Sequence, residues 1–350
     1  MKIKKEQIRK ILIIQLRAIG DVVQTTAALP VLYKNFPQAK IHFLTTPGID
    51  EILRGLPELE KVLVYPYSPN NILGIFRFFP QICRQKYDLV IDYQGTPGTA
   101  YLTKLSGAKY RLGWKLKRRQ WAYNYHSSAN RNLEYVAIQK CRALQEIGIH
   151  EINRQTKITI SESDIRFVKE YYKELKIDSN RLLVNITPKG KRQARQWFPE
   201  KIAKLADLLI EKHQAIIFYN WASGEKEYAD TTAKLSRNPV TVLPGWSLPQ
   251  FAAFLSRVDL HFSYDNGPKH LAIAAATPTL SLFATDPPAL WNPLNDANHP
   301  YLLAQVPCKF CGLRECDSMI CMKQIEPEDV LKAIEKIPAI QAKLKLKYNY

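Results

Sequence analysis

The chain has 350 residues, enough for two domains with separate cores, and its 46% hydrophobic and 23% charged content is that of a globular protein, not a disordered or fibrous one. No run of about 18 apolar residues occurs, so no membrane-spanning helix is expected; the start, MKIKKEQIRKILIIQL, lacks a signal-peptide cleavage site, and a cytoplasmic location is expected. The 50 Lys and Arg against 32 Asp and Glu give +18, which points to an anionic partner (phosphorylated lipid, membrane surface, nucleotide or nucleic acid) without choosing among them.

Ile11–Leu16 is a short, continuous apolar run, the pattern of a buried parallel strand. Arg17-Ala18-Ile19-Gly20-Asp21 follows, then a helical pattern from Val22 to about Phe36. Gly20 permits a tight turn, and Asp21 falls at the helix start, where the dipole favours a carboxylate. Strands follow at Lys40–Leu44 and Lys61–Tyr65, a helix over about Ile72–Lys86, and a strand at Tyr87–Asp92. Gln94 and Gly95 sit at the C-terminal end of that strand, the end of a parallel sheet at which ligands bind; a turn and helix cap explain them equally well. Ala108–Arg119 carries six basic residues and no acid, which suits a solvated face, a phosphorylated glycolipid or stacked bases. Asn132–Gly148 reads as a helix with Gly148 as its stop, and the alternation at Thr156–Ile160 as a short strand near a domain boundary.

A second strand–helix series begins with the amphipathic stretch Ser163–Leu175 and a strand at Leu182–Ile186. A basic loop from Thr187 through Arg195 and Trp197 leads to a helix from about Glu200 to His213. Ala215–Tyr219 is a strand, and Glu225 opens the next helix. Val240–Leu243 leads through Ser247 into a helix at Leu248–Leu255. Then the strand His261–Tyr264 runs into Asp265-Asn266-Gly267-Pro268, a helix starts with His270 in its first turn, and a further strand lies at Thr279–Phe283. Two strand C-termini and a helix N-terminus in about thirty residues make a natural anion site. A last helix is expected over roughly Glu328–Lys343. Neither G-x-G-x-x-G after a first strand nor a Walker lysine loop is present.

Cys83 and Cys141 stand alone in helical patterns and read as core. Cys308, Cys311, Cys316 and Cys321 form C-x2-C-x4-C-x4-C; four thiolates suit zinc, but a second C-x-x-C pair is missing, so no metal is assigned and zinc stays the alternative.

Asp265, Gly267, His270, Leu271, Ala272, Pro278, Phe283, Asp286 and Pro287 resemble, in order and spacing, the C-terminal signature of glycosyltransferase family 9, the ADP-heptose:lipopolysaccharide heptosyltransferase family. Gly20-Asp21, Thr25-Thr26, Leu29-Pro30 and Asp92-Tyr93-Gln94-Gly95 resemble its N-terminal motifs, so the likeness runs from the first strand to Pro293. It implies an α/β fold of GT-B type, with two Rossmann-like domains facing across a cleft: an acceptor domain at 1–160, a nucleotide-sugar domain at 161–325, and a C-terminal helix within 326–350 packing back on the first.

The resemblance further implies metal-independent, inverting transfer from an ADP-sugar donor to a phosphorylated glycolipid at the inner membrane surface, with no nucleic acid partner. Asp21 would be the general base. Thr187, Arg195, Glu225, Asp265, Asn266, Gly267 and His270 would hold the donor, and Arg17, Gln94, Arg111, Lys115, Lys117 and Arg118 the acceptor. Asn266 stands where the family has Ser or Thr, Ala284 replaces a Gly, and Arg195 replaces the usual Lys. These departures leave open another nucleotide sugar as donor, and a basic nucleic-acid-binding protein on the same scaffold.

Overall fold

The computed structural model describes residues 3–66 and 72–348; of the basic residues at the start, Lys2 lies outside them. It divides into two compact units, Met1–Thr159 and Ile160–Tyr350.

In the first unit the strands are β1 Lys10–Ile14, β2 Lys40–Thr45, β3 Lys61–Val64, β4 Leu89–Asp92, β5 Tyr110–Trp114 and β6 Tyr125–Ser127. The helices between them are α1 Ile19–Thr25, α2 Ala28–Asn35, α3 Ile72–Arg84, α4 Pro97–Leu105 and α5 Val136–Ala143. The sheet order is β3-β2-β1-β4-β5-β6, every pair parallel. Parallel strands covered on both faces need apolar side chains throughout, and Ile11 to Ile14 are all fully buried. The order reverses between β1 and β4, so the loops that follow these strands open beside one another.

The second unit repeats the plan. Its strands are β7 Leu183–Ile186, β8 Ile216–Tyr219, β9 Thr241–Val242, β10 Leu260–Tyr264, β11 Thr279–Phe283 and β12 Tyr301–Leu303. Its helices are α6 Glu162–Glu174, α7 Pro199–His213, α8 Lys226–Lys234, α9 Leu248–Leu255, α10 Gly267–Ala274, α11 Pro288–Trp291, α12 Ile320–Lys323, α13 Pro327–Glu335 and α14 Pro338–Tyr348. The order is β12-β11-β10-β7-β8-β9, again all parallel, and the switch falls between β7 and β10. Its core joins the inner strands to Trp197, Leu205 and Leu209 near and on α7 and to Val330, Ile334 and Ile340 on α13 and α14.

The elements depart from the sequence expectation in five places, one being the helix expected over Asn132–Gly148, which is α-helical only in α5 and ends in a 3-10 turn at Leu144–Ile147. The helix expected from Val22 to about Phe36 is two, α1 and α2. Pro30 has no N–H for the carbonyl four residues back and would clash with it, so a new helix begins with Pro30 in its first turn. The last helix likewise breaks before Pro338, which opens α14 at its first position. Thr156–Ile160 is not a strand: two of its N–H groups go to a side chain and a 3-10 turn, Lys157 N to Thr26 Oγ1 at 2.9 Å and Thr159 N to Ile52 O at 2.8 Å. The basic stretch Ala108–Arg119 contains β5, an interior strand of the sheet.

Candidate active site

In the second unit the switch-point strands each deliver a site residue from the C-terminal end, Thr187 after β7 and Asp265 after β10. Asn266 caps α10, its Oδ1 accepting the Lys269 N–H at 3.1 Å. Among the described residues its Nδ2 is a buried donor with no protein acceptor. Gly267 and Pro268 form the first turn, where missing side-chain bulk and a missing N–H both suit a helix start.

Asp265 is the centre of a cationic cluster. Arg195 Nη1 donates to its Oδ2 at 2.9 Å, Lys269 Nζ donates to its Oδ1 at 2.9 Å, and His270 Nε2 stands 3.5 Å from Oδ1. Arg195 spreads its fork further: Nε donates to Thr285 Oγ1 at 3.0 Å and Nη2 to Asp286 Oδ2. The Thr285 hydroxyl donates to the same Asp286 oxygen at 2.7 Å, and Arg192 Nη1 lies 3.6 Å from it. Burial by itself pushes the Asp265 carboxyl up, but Lys269 and His270 outweigh it and hold the group well below the usual carboxylate range. Burial draws the Lys269 ammonium down, with Asp265 opposing. Lys269 has no exposed side chain; it also donates to Trp291 O at 2.8 Å and lies over the Phe283 ring. The result is a helix start with its N–H groups, a spare amide donor and a rigidly held guanidinium, an arrangement that suits a diphosphate.

Thr187 is buried, and its hydroxyl donates to Asn220 Oδ1 at 2.8 Å; Asn185 Nδ2 donates to the same oxygen at 2.9 Å. Glu225 precedes α8, with Oε2 accepting the Ala222 N–H at 3.2 Å. Lys269, Thr285, Asp286 and Asn220 were absent from the sequence-derived site. Lys269 was within reach of pattern reading: it stands four residues after Asp265 across a helix start, the spacing of a helical ion pair.

In the first unit Asp21 sits in the opening turn of α1, half-exposed, with Oδ2 accepting the Ala18 N–H at 3.2 Å. The loop before it is held from β4. Gln94 Oε1 accepts N–H groups from Leu16 at 2.9 Å and Arg17 at 3.0 Å and from Gln15 Nε2 at 3.0 Å. Thr96 caps α4. Of the acceptor candidates, Gln94 therefore spends its oxygen on this loop, and Arg111 donates to Ala122 O at 2.9 Å and Ala108 O at 2.6 Å, bracing its own chain. Lys115, Lys117 and Arg118 are exposed after β5, and Arg17 is exposed before α1.

Cys308 and Cys311 are exposed, Cys316 and Cys321 partly so, and all four are free thiols. Among the described residues no group of three or more His, Cys, Asp or Glu is arranged to hold a metal ion, so the zinc alternative gains no geometry here. The loop does touch the donor-side cluster through backbone: Phe310 N donates to Ala284 O at 3.0 Å, Gly312 N to Thr285 O at 2.9 Å, and Ala194 N to Arg314 O at 3.0 Å.

Two doubly wound parallel domains, one with a cation-lined helix start at its switch point, make an α/β protein suited to binding an anionic nucleotide ligand. The sequence profile of glycosyltransferase family 9 (heptosyltransferase) matches residues 75–319, more than half of the chain. The chain belongs to glycosyltransferase family 9, and it is a glycosyltransferase of GT-B fold. Among its relatives, Lipopolysaccharide heptosyltransferase 1 of Campylobacter coli is 25% identical, covering 94% of this chain and 98% of its own. Lipopolysaccharide heptosyltransferase 3 of Escherichia coli K12 is 23% identical, covering 92% and 96%. Among solved structures, a family 9 glycosyltransferase from Veillonella parvula superposes with TM-score 0.84 at 20% identity, covering 95% of this chain and 97% of that one. The E. coli heptosyltransferase WaaC with ADP gives 0.73 at 20% identity, covering 93% and 99%.

Proposed function

We propose that the chain moves a heptose from ADP-heptose to a hydroxyl of the lipopolysaccharide inner core, with inversion and without a metal. The observation that carries this reading is the Arg195–Asp265–Lys269 cluster at the start of α10, with the unpartnered Asn266 Nδ2 beside it. In this reading the donor diphosphate lies against the first turn of α10, and Arg195 takes up the charge that grows on it as the sugar–oxygen bond breaks. Thr187 and Glu225 hold the remainder of the donor. Asp21 accepts the proton of the acceptor hydroxyl as its oxygen attacks the anomeric carbon opposite the leaving ADP. The exposed Lys115, Lys117 and Arg118, with Arg17, meet the phosphates of the glycolipid, and the enzyme works at the inner face of the membrane as a peripheral protein. Among the described residues no helix is long and apolar enough to cross a membrane. The relatives from Campylobacter coli and E. coli K12 are both lipopolysaccharide heptosyltransferases, which supports this reading over nucleic-acid binding.

The test is ADP release from ADP-heptose with purified heptose-deficient lipopolysaccharide as acceptor. Wild type is expected to turn over and to be stabilised by ADP. Asp21→Ala is expected to lose about 100-fold or more in kcat while keeping the ADP-induced rise in Tm. Wild-type turnover in Asp21→Ala would remove the base assignment. Stabilisation by UDP or GDP but not ADP would remove the donor assignment.

A further inference from the structure

Among the described residues, the mechanism leaves the buried Lys140 unused. Lys140, in α5, is buried, and its Nζ donates to Gln15 Oε1 at 2.9 Å. The ammonium lies over the rings of Tyr93, 5.0 Å from the centroid, and Trp114, at 5.3 Å. The Tyr93 hydroxyl donates back to Lys140 O at 2.8 Å, and Trp114 Nε1 donates to Tyr93 O at 2.8 Å, so the cage is itself tied together. Among the described residues the ammonium forms no direct ion pair; Asp21 and Asp92 act on it through space. A buried charge without a paired carboxylate is costly, and a Met would fill the same room without that cost.

We infer that Lys140 is a positioning residue for sugar transfer: it fixes the Gln15 amide and, through Gln94, the loop that presents Asp21. The inference rests on the reading of Asp21 as the base. An ammonium donates and never accepts. Facing it, Gln15 must offer Oε1, which turns Nε2 toward Gln94 Oε1 at 3.0 Å and Arg17 O at 3.1 Å. Gln94 Oε1 in turn collects the Leu16 and Arg17 N–H groups, and four residues further on Asp21 caps Ala18. The Leu16 and Arg17 N–H groups hold Gln94 Oε1 toward the loop, and Lys140 holds the Gln15 amide that gives the same oxygen its third donor and ties Arg17 O to it. A neutral amine accepts as well as donates, so deprotonation removes the charged donor that holds Gln15 Oε1 and leaves its amide to Gln94 Oε1 and Arg17 O alone.

Burial lowers Lys140 to about 8, with Asp21 and Asp92 pulling the other way, so the constraint is released within an accessible range. Among the described residues the titratable groups facing it are Asp21 from α1 and Asp92 and Tyr93 from the end of β4, with Cys141 its neighbour on α5. Burial holds Tyr93 well above its ordinary value and pushes the Cys141 thiol up to about 11, so neither titrates before Lys140. Gln15 and Trp114 do not titrate.

The experiment compares wild type, Lys140→Met and Asp21→Ala in the ADP-release assay between about pH 6 and 10. In Lys140→Met, kcat is expected to fall on the order of tenfold, as a small misplacement of a reacting group does, with KM for ADP-heptose changed less than about twofold. Wild-type kcat is expected to decline above about pH 8, and the decline to be absent from the variant. Wild-type kcat and pH profile in Lys140→Met, with Asp21→Ala inactive, would overturn the inference alone. Wild-type turnover in Asp21→Ala would bring down the base assignment and this inference together. If Lys140→Met does not fold, Gln15→Met breaks the same link: a fall in kcat at constant KM supports the inference, and unchanged kcat overturns it.

Discussion

Arg195 and Asp265 lie 70 positions apart in sequence and meet at 2.9 Å, because β7 and β10 are neighbours at the point where the second sheet reverses. One comes from the loop after β7, the other from the end of β10. Their pairing holds the guanidinium in one orientation before any ligand arrives. In Asp265→Asn, Lys269 and Arg195 lose a buried counter-charge, and stability is expected to fall by about 3 to 5 kcal/mol. Urea unfolding would read this as a lower midpoint with an unchanged slope, and the same protein should have lost its stabilisation by ADP.

Arg195→Lys separates charge from shape. A lysine supplies the positive charge, but it cannot serve Asp265, Asp286 and Thr285 with a planar fork. KM for ADP-heptose is expected to rise about tenfold while the fold remains. An unchanged KM would show that the wider contact set of Arg195 is dispensable for the donor.

His261 makes acid stability measurable. Burial lowers its pKa to about 3 from an ordinary 6.5. Between these values the unfolded chain binds a proton that the folded chain does not, so stability falls as pH drops from about 6.5 toward 3. The loss approaches about 4 to 5 kcal/mol at the lower end. The depressed Asp265 acts in the same direction from its unfolded range downward, since folding stabilises its ionised form. Urea melts of wild type and His261→Gln at about pH 7 and 4 should converge in part at the lower pH. Parallel losses in both proteins would contradict this account.

Gly113 has a separate reason to be glycine. A Cβ there would stand 2.5 Å from the Tyr123 ring, whose hydroxyl donates to the buried Asp92 at 2.7 Å. Gly113→Ala must displace that ring, and a loss of about 1 to 3 kcal/mol in unfolding free energy is expected. A thermal melt of the single variant is sufficient to check it.

Much of this was legible in sequence because it is carried by short-range pattern. The continuous apolar runs at Ile11 and Thr279 mark strands buried on both faces. The position of Asp265-Asn266-Gly267 before an apolar helix marks a capped anion site. The breaks at Pro30 and Pro338 were within reach of the proline rule, which outweighs helical periodicity. The roles of Gln94, Arg111 and Lys140 were not legible. Each depends on which donor or acceptor the folded chain brings close, and Arg111 and Lys140 read as solvated charges until their neighbours are known.

The backbone bonds from Phe310 and Gly312 to Ala284 and Thr285 make the cysteine loop a ready position for a reporter. Cys311 is exposed and lies between those two anchoring N–H groups, beside a threonine that shares Arg195 with two carboxylates. In a chain whose other cysteines are replaced by serine, a fluorophore on Cys311 would register rearrangement of the Arg195 cluster as nucleotide arrives. Donor binding could then be timed in a stopped-flow instrument, without acceptor and without altering the groups that act on the sugar.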